Sequence, residues 1–207
     1  MWRHFISMGL SALVLCLVIV TATNSLAASG ALKGLESTVN QAIAVLRDPA
    51  YSGPGQKETR RKVLQDIIYP RFDFQRMAQA SVGLPWKKFT PDQQKRFSIA
   101  FRTMLENTYL GMIERYSGEE VHFTNEVPVS AEIVRIDSVV VSKGQKYEMS
   151  YRLAPKGDQW LVFDVIIEGV SVVSNYRSQL KQLLHAADPD IEGVISKMQD
   201  KNIENQR

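Results

Sequence analysis

Apolar residues recur at helical spacing through the first half of the chain, as expected of amphipathic helices packed on a core. One such stripe ends before Pro49, a second ends at Pro70, and a third, shorter one is closed by Gly83. The longest begins at Thr90, a residue type that caps helices, followed by a proline at the first helical position. We predict that this fourth helix runs to Gly118.

From residue 120 onward, apolar and polar residues alternate, which is the period of a half-buried strand. Four such segments are separated by turn sequences: EVHFTNEV, SAEIVRIDSVVVS, QKYEMSYRLA and DQWLVFDVII. Helical spacing returns after Gly169 and again after Pro189. The pattern predicts an α+β fold in which a four-stranded antiparallel sheet is packed by N-terminal and C-terminal helices.

The N-terminal segment has the order of regions typical of a secretory signal peptide. Arg3 precedes the apolar run GLSALVLCLVIV, and small residues then predict cleavage after Ala27. We interpret residues 1–27 as a signal peptide and 28–207 as a single domain. A membrane anchor is the alternative, but a membrane span needs about 20 apolar residues and this run is shorter. Cleavage removes Cys16, the only cysteine, and predicts a periplasmic protein held by its core without disulfides.

Charge and motif content argue against several function classes. The formal net charge is +3 with both signs interspersed, which does not predict a nucleic-acid surface. Neither His122 nor His185 has a second ligand at metal-binding spacing. Asp164 and Glu168 are the one suggestive carboxylate pair, and an enzyme that uses them stays an alternative. On a strand they would lie about 13 Å apart, so we expect Glu168 to cap the next helix and Asp164 to accept hydrogen bonds.

The longest predicted helix and one face of the predicted sheet are rich in aromatic residues and methionine, which adapt to variable apolar partners. Such surfaces suit either a solid core or the wall of a ligand cavity, and periodicity alone leaves both open. If a cavity is present, we expect it between the helix and the sheet, lined by Phe101, Leu105, Tyr109, Met112, Met149, Tyr151, Val165 and Ile167.

Three stretches resemble the MlaC family, also called the toluene-tolerance auxiliary proteins: YPRFDFQRMAQASVG, WKKFTPDQQKRFSIAFRTMLENTYLGMIERYSGEEV and YRLAPKGDQWLVFDVIIEGVSVVSNYRSQL. The resemblance covers about residues 32–184. It implies a nuclear-transport-factor-2-like (NTF2-like) cone and a non-enzymatic periplasmic phospholipid carrier that maintains outer-membrane lipid asymmetry. The implied partners are an outer-membrane lipoprotein complex and an inner-membrane ABC transporter complex with its lipid-binding subunit. A hopanoid-linked branch of the family leaves hopanoids and other lipids as alternative ligands.

The resemblance also implies roles for residues beyond the last predicted strand. Val170, Val173 and Tyr176 are expected to face the lipid tails from a helix that flanks the cavity. Arg177 is expected near the mouth, where a guanidinium could bind a phosphate. Glu168 would be a hinge residue between strand and helix. No cofactor is expected.

Overall fold

Helices precede and follow an antiparallel sheet along the chain, as the hydrophobic pattern predicts. The computed structural model describes residues 23–53, 55–184 and 190–204. The helices are α1 Thr23–Arg47, α2 Lys57–Ile68, α3 Phe74–Val82, α4 Pro91–Ile113, α5 Val172–Leu184 and α6 Ile191–Glu204. The strands are β1 Glu120–Ser130, β2 Ile133–Ser142, β3 Gln145–Lys156, β4 Gln159–Ile167 and β5 Val170–Ser171. The predicted α+β class is confirmed.

The predicted signal peptide falls largely outside the described residues, which begin at Thr23. It therefore stays a prediction, together with the single-domain boundary at residue 28. The beginning that we predicted for the last helix, at Pro189, also lies outside the described residues, and α6 begins at Ile191. In the parts of the chain that the structure describes, no helix is both long and apolar enough to span a bilayer.

The sheet is a meander in which each strand pairs with the next, in the order β1-β2-β3-β4-β5. It has one strand more than predicted, because a tight turn at Glu168 and Gly169 folds β5 back onto β4. Both turn residues have positive φ, 49° and 77°, as in the two-residue turns that suit the twist of a hairpin. Lys143 and Gly144 connect β2 to β3 in the same way.

Helix α4 begins as predicted and ends earlier than predicted. Thr90 and Gln93 form a reciprocal capping box at its N-terminus, with hydrogen bonds of 3.2 and 2.8 Å. Beyond Ile113, the N–H groups of Arg115 and Tyr116 donate to carbonyls three residues back instead of four. The helix tightens into a turn there, so the prediction that it continues to Gly118 is wrong.

Two main clusters of buried residues hold the helices and the sheet together. One is a helical cluster that joins α3, the first half of α4, α5 and α6, with Phe97 and Phe101 fully buried at its centre. The other lies between α1 and the sheet, where Leu35 packs with the buried residues Ile136 and Leu153. A third, smaller cluster joins Leu110 in the second half of α4 to Ala42 of α1 and Leu64 of α2.

Candidate functional site: an apolar cavity between helices and sheet

A cavity of about 690 Å³ lies between the inner face of the sheet and helices α1, α2 and α4. Its volume is within the range of ligand-binding pockets, roughly 300–1,000 Å³. Most of its wall is apolar. The helices and their connections contribute Leu35, Val39, Ala42, Ile43, Leu46, Ile68, Phe72, Phe74, Met77, Leu105, Leu110, Met112, Ile113 and Val172, and the sheet contributes Val121, Val140, Tyr147, Met149, Tyr151, Val165 and Ile167.

Strand register builds the floor of the cavity. Tyr151 of β3 is paired with Val165 of β4, and Met149 is paired with Ile167. Because alternate residues of a strand point to the same face, both pairs present their side chains to the cavity. The floor is therefore a continuous apolar surface formed by residues that are adjacent across strands.

Seven of the twelve residues that we predicted to bind lipid lie in the cavity wall. They are Leu105, Tyr109, Met112, Met149, Tyr151, Val165 and Ile167. Burial of Tyr109 raises the pKa of its phenol, and the nearby Tyr176 adds to the shift. The phenol therefore stays neutral at physiological pH. Contact of these seven residues with a lipid stays a prediction.

Four of the predicted residues do not line the cavity: Phe101, Val170, Val173 and Tyr176. The two on α5 lie elsewhere because α5 packs on α3 within the helical cluster. Phe101 is fully buried and stacks with Phe97, and Tyr176 meets its ring edge-on at 5.4 Å. Val173 is buried in the same cluster, whereas Val170 is exposed in β5. The expectation that these side chains face a cavity is wrong for this structure.

Arg177 does not lie at a cavity mouth either. Its Nε donates a hydrogen bond of 2.9 Å to the carbonyl oxygen of Ala80, at the C-terminal end of α3. The guanidinium also lies so close to Gly83 that an added Cβ there would be 3.4 Å from it. Arg177 thus ties α5 to α3, away from the cavity wall. Its binding to a phosphate stays a prediction.

Asp164 and Glu168 both stabilise the connection between β4 and α5. The carboxylate of Asp164 is buried, where it accepts hydrogen bonds from the Ser171 hydroxyl at 2.7 Å and the Val173 N–H at 3.1 Å. Glu168 accepts from the backbone N–H of Glu148 across the sheet. The first N–H groups of α5 are therefore capped by Asp164 and by the Ser171 hydroxyl, which accepts from the Ser174 N–H at 3.0 Å, and not, as predicted, by Glu168. Neither carboxylate lines the cavity.

A polar cluster interrupts the apolar wall where α2 faces α4. The two carboxylate oxygens of Glu106 accept hydrogen bonds from the Tyr69 hydroxyl and the Gln65 amide. Burial and this hydrogen bond raise the pKa of Tyr69 well above its usual value, so its hydroxyl remains a donor. The guanidinium of Arg102 lies over the Tyr69 ring, 5.3 Å from its centroid. All four side chains line the cavity.

Among the described residues, no cluster of histidine, cysteine or carboxylate side chains is arranged to hold a metal ion. His122 lies beside Glu120 at 3.0 Å on the exposed part of β1.

A profile of the family described as MlaC protein matches residues 36–200, most of the chain. The chain belongs to the MlaC family.

Two known proteins are similar to this chain in sequence and in fold. A curated relative of this MlaC-family chain, the toluene tolerance protein ttg2D of Pseudomonas putida, is 23% identical over 137 residues. That alignment covers 64% of this chain and 62% of the relative. A solved structure from Ralstonia solanacearum, a phospholipid-binding protein in complex with a phospholipid, is 23% identical with a TM-score of 0.75. It covers 86% of this chain and 99% of its own, which shows that the two share a fold.

The sequence pattern did not predict the part of the cavity wall that α1 and the segment between α2 and α3 form. Leu35, Val39, Ile43 and Leu46 line one wall with helical spacing, and this stripe was visible in the sequence. Nothing in it distinguished a wall from a core. The polar members Gln65, Arg102 and Glu106 were also missed, because at their positions a solvated helix face gives the same pattern.

Proposed function

We propose that this MlaC-family protein is a periplasmic carrier that holds the acyl chains of a phospholipid in its cavity and moves the lipid between the two membranes of the envelope. The observation that carries the proposal is the 690 Å³ cavity with its largely apolar wall. The phospholipid in the solved structure of similar fold supports the choice of ligand class.

The energetics of lipid transfer explain why such a cavity is needed. Moving an acyl chain of about sixteen carbons from a membrane into water costs about 0.8 kcal/mol of free energy per methylene, on the order of 12 kcal/mol per chain. Unaided desorption is therefore very slow. A protein wall that replaces the membrane interior lowers this cost, and it needs no catalytic group to do so. We accordingly propose a non-enzymatic role.

The family assignment supports specific donors and acceptors for the lipid. We propose that the carrier exchanges lipid with an outer-membrane lipoprotein complex and with an inner-membrane ABC transporter that has its own lipid-binding subunit. Such exchange would maintain the lipid asymmetry of the outer membrane. Export by cleavage after residue 27 would place the protein in the compartment that this route requires.

Organic extraction of protein purified from the periplasm, followed by mass spectrometry, tests ligand class. We expect phospholipid in near-stoichiometric amount. A hopanoid in its place would change the ligand class, and a clean extract from folded protein would contradict the carrier role. Transfer is tested separately, by following an isotope-labelled phospholipid from donor to acceptor vesicles. We expect the purified protein to accelerate this transfer and the cavity-filling variant Leu105→Trp to do so far less.

A further inference from the structure

We propose that Arg102 is the residue by which the cavity binds the phosphodiester group of its lipid. This inference rests on the proposed carrier function and names the polar chemistry that selects the cargo. Arg102 is the cation of the described cavity wall. Its guanidinium donates no hydrogen bond to any residue that the structure describes, and its Nε is buried without a partner.

Two other partly buried arginines near the cavity have acceptors. Arg61 makes two hydrogen bonds of 3.0 Å to Glu114, and Arg71 donates to the Thr38 hydroxyl and the Trp160 carbonyl. A buried N–H group that lacks an acceptor is costly, more so when it is charged. The Nε of Arg102 is enclosed, so contact with the ligand falls to the terminal Nη groups of this cavity-lining residue.

Arg102 packs on a neighbour that is itself held by hydrogen bonds. Tyr69 supplies a ring face for the guanidinium, and the hydroxyl of that ring is fixed by Glu106, which is fixed in turn by Gln65. Glu106 lies one helical turn from Arg102 but forms no ion pair with it among the described residues. Its two oxygens accept hydrogen bonds from neutral donors, and none of the described residues accepts one from Arg102. Under this proposal, the phosphate of the ligand supplies that acceptor.

A phosphodiester matches these donors in charge and geometry. The planar guanidinium can present parallel N–H donors to two phosphate oxygens, which a neutral headgroup cannot accept with equal strength. The acyl chains attached to that phosphate would then lie along the apolar wall that begins with Leu105 and Tyr109. A neutral diacylglycerol with the same chains would leave the guanidinium unpaired, so the site should discriminate between the two lipids.

A competition experiment tests this discrimination. Lipid-free protein is incubated with vesicles that contain equal amounts of dioleoyl phosphatidylglycerol and dioleoylglycerol, and the bound lipids are measured by mass spectrometry. We expect the wild-type protein to favour the phospholipid, and Arg102→Gln to reduce the ratio at least about tenfold, the effect of one charge-assisted hydrogen bond. Arg102→Lys keeps the positive charge but not the planar pair of N–H donors, so it should give an intermediate ratio.

Arg60 provides a matched control, because its Nε is also buried without a partner although the residue does not line the cavity. Arg60→Gln should leave the lipid ratio unchanged. An equal loss in both variants, or an unchanged ratio in Arg102→Gln, would overturn the role of Arg102 while leaving the carrier function intact. If the wild-type protein binds neither lipid, the carrier function itself fails.

A measurement on the wild-type protein removes dependence on variant folding. In ¹⁵N-labelled protein, the Nε–H resonance of Arg102 should shift further on loading with phosphatidylglycerol than on loading with dioleoylglycerol, because the acyl chains of both lipids occupy the cavity but only the first carries a phosphate. Identical spectra for the two loaded forms would contradict a direct contact between the guanidinium and the phosphate.

Discussion

The two halves of helix α4 present similar aromatic and aliphatic side chains to very different surroundings. In the first half, Phe97 and Phe101 are fully buried in the helical cluster, stacked on each other and closed in by Trp86 and Tyr176. In the second half, Tyr109, Met112 and Ile113 border the cavity. One helix thus packs in solid core with its first half and borders the cavity with its second. Under the proposed function, stability and cargo binding therefore depend on different parts of α4.

The solid half should carry the larger stability effect. Phe97→Ala would open a void between Trp86, Phe89 and Phe101, the rings that it contacts. We expect a loss of about 3–5 kcal/mol in the free energy of unfolding, measured by urea denaturation, because the cluster can collapse only in part. Lipid bound per folded molecule should stay at the wild-type value. A selective loss of lipid at equal folded fraction would show that the cavity extends into this half.

The same leucine-to-tryptophan change should act differently at the wall and in solid core. Leu105→Trp can place its extra volume in the cavity, so lipid occupancy should fall while unfolding stays cooperative. Leu153 of β3 is fully buried against α1 and does not line the cavity. Leu153→Trp should therefore lower the free energy of unfolding by about 1–3 kcal/mol through overpacking. Extraction with mass spectrometry and urea denaturation measure the two effects.

The outcome at Leu105 decides what the second half of α4 does. If Leu105→Trp lowers stability as much as Leu153→Trp and retains its lipid, the stripe around residue 105 behaves as ordinary core. The comparison is matched in chemistry, since both variants replace a buried leucine with the same large ring.

Periodicity predicted where α4 lies but not which half of it borders the cavity. Both halves have the same helical spacing, and the difference comes from a partner distant in sequence. Helix α6 is held against the first half of α4 by hydrogen bonds from Gln93 and Arg96 to Glu192. No local pattern near residue 97 encodes that contact. The sheet floor was easier to predict, because strand alternation directly gives the face that Met149 and Tyr151 share.

The connection after β4 shows a second limit of local patterns. The Glu168-Gly169 turn could be suspected from a glycine that follows a polar residue, since such pairs adopt the positive φ of tight hairpins. Whether the chain then entered a helix directly or first formed β5 depended on pairing with β4. The direction of α5 followed from its packing on α3, and that placed Val173 and Arg177 away from the cavity.

Arg177→Ala gives a smaller and more specific test of that placement. It removes one hydrogen bond to the Ala80 carbonyl, which should cost about 1 kcal/mol of unfolding free energy. Lipid occupancy and the phospholipid preference should stay unchanged, in contrast to the expectation for Arg102→Gln. Loss of the phospholipid preference in Arg177→Ala at equal folded fraction would place the phosphate beside α5 instead of α4.

The smallest expected effect concerns a carboxylate at the cavity wall. The N–H of Ser117, its own N–H and the hydroxyls of Ser117 and Ser142 lower the pKa of Glu119 to about 2. Because the folded pKa lies below the unfolded one, this contribution to stability is complete above about pH 4.5 and is lost as the pH falls toward 2. Solvent screening should keep it below about 1 kcal/mol.

Glu119→Gln isolates this carboxylate from the other acidic groups. The variant should be slightly less stable than wild type at pH 7, and the difference should shrink as the pH is lowered from about 4.5 to about 2.5, as followed by urea denaturation at each pH. Because the amide of the variant carries no titrating proton, its stability curve should be flatter across that window. A gap between the two proteins that widens on acidification would mean that the folded chain raises the pKa of Glu119, and that its hydrogen bonds to Ser117 and Ser142 do not form in solution.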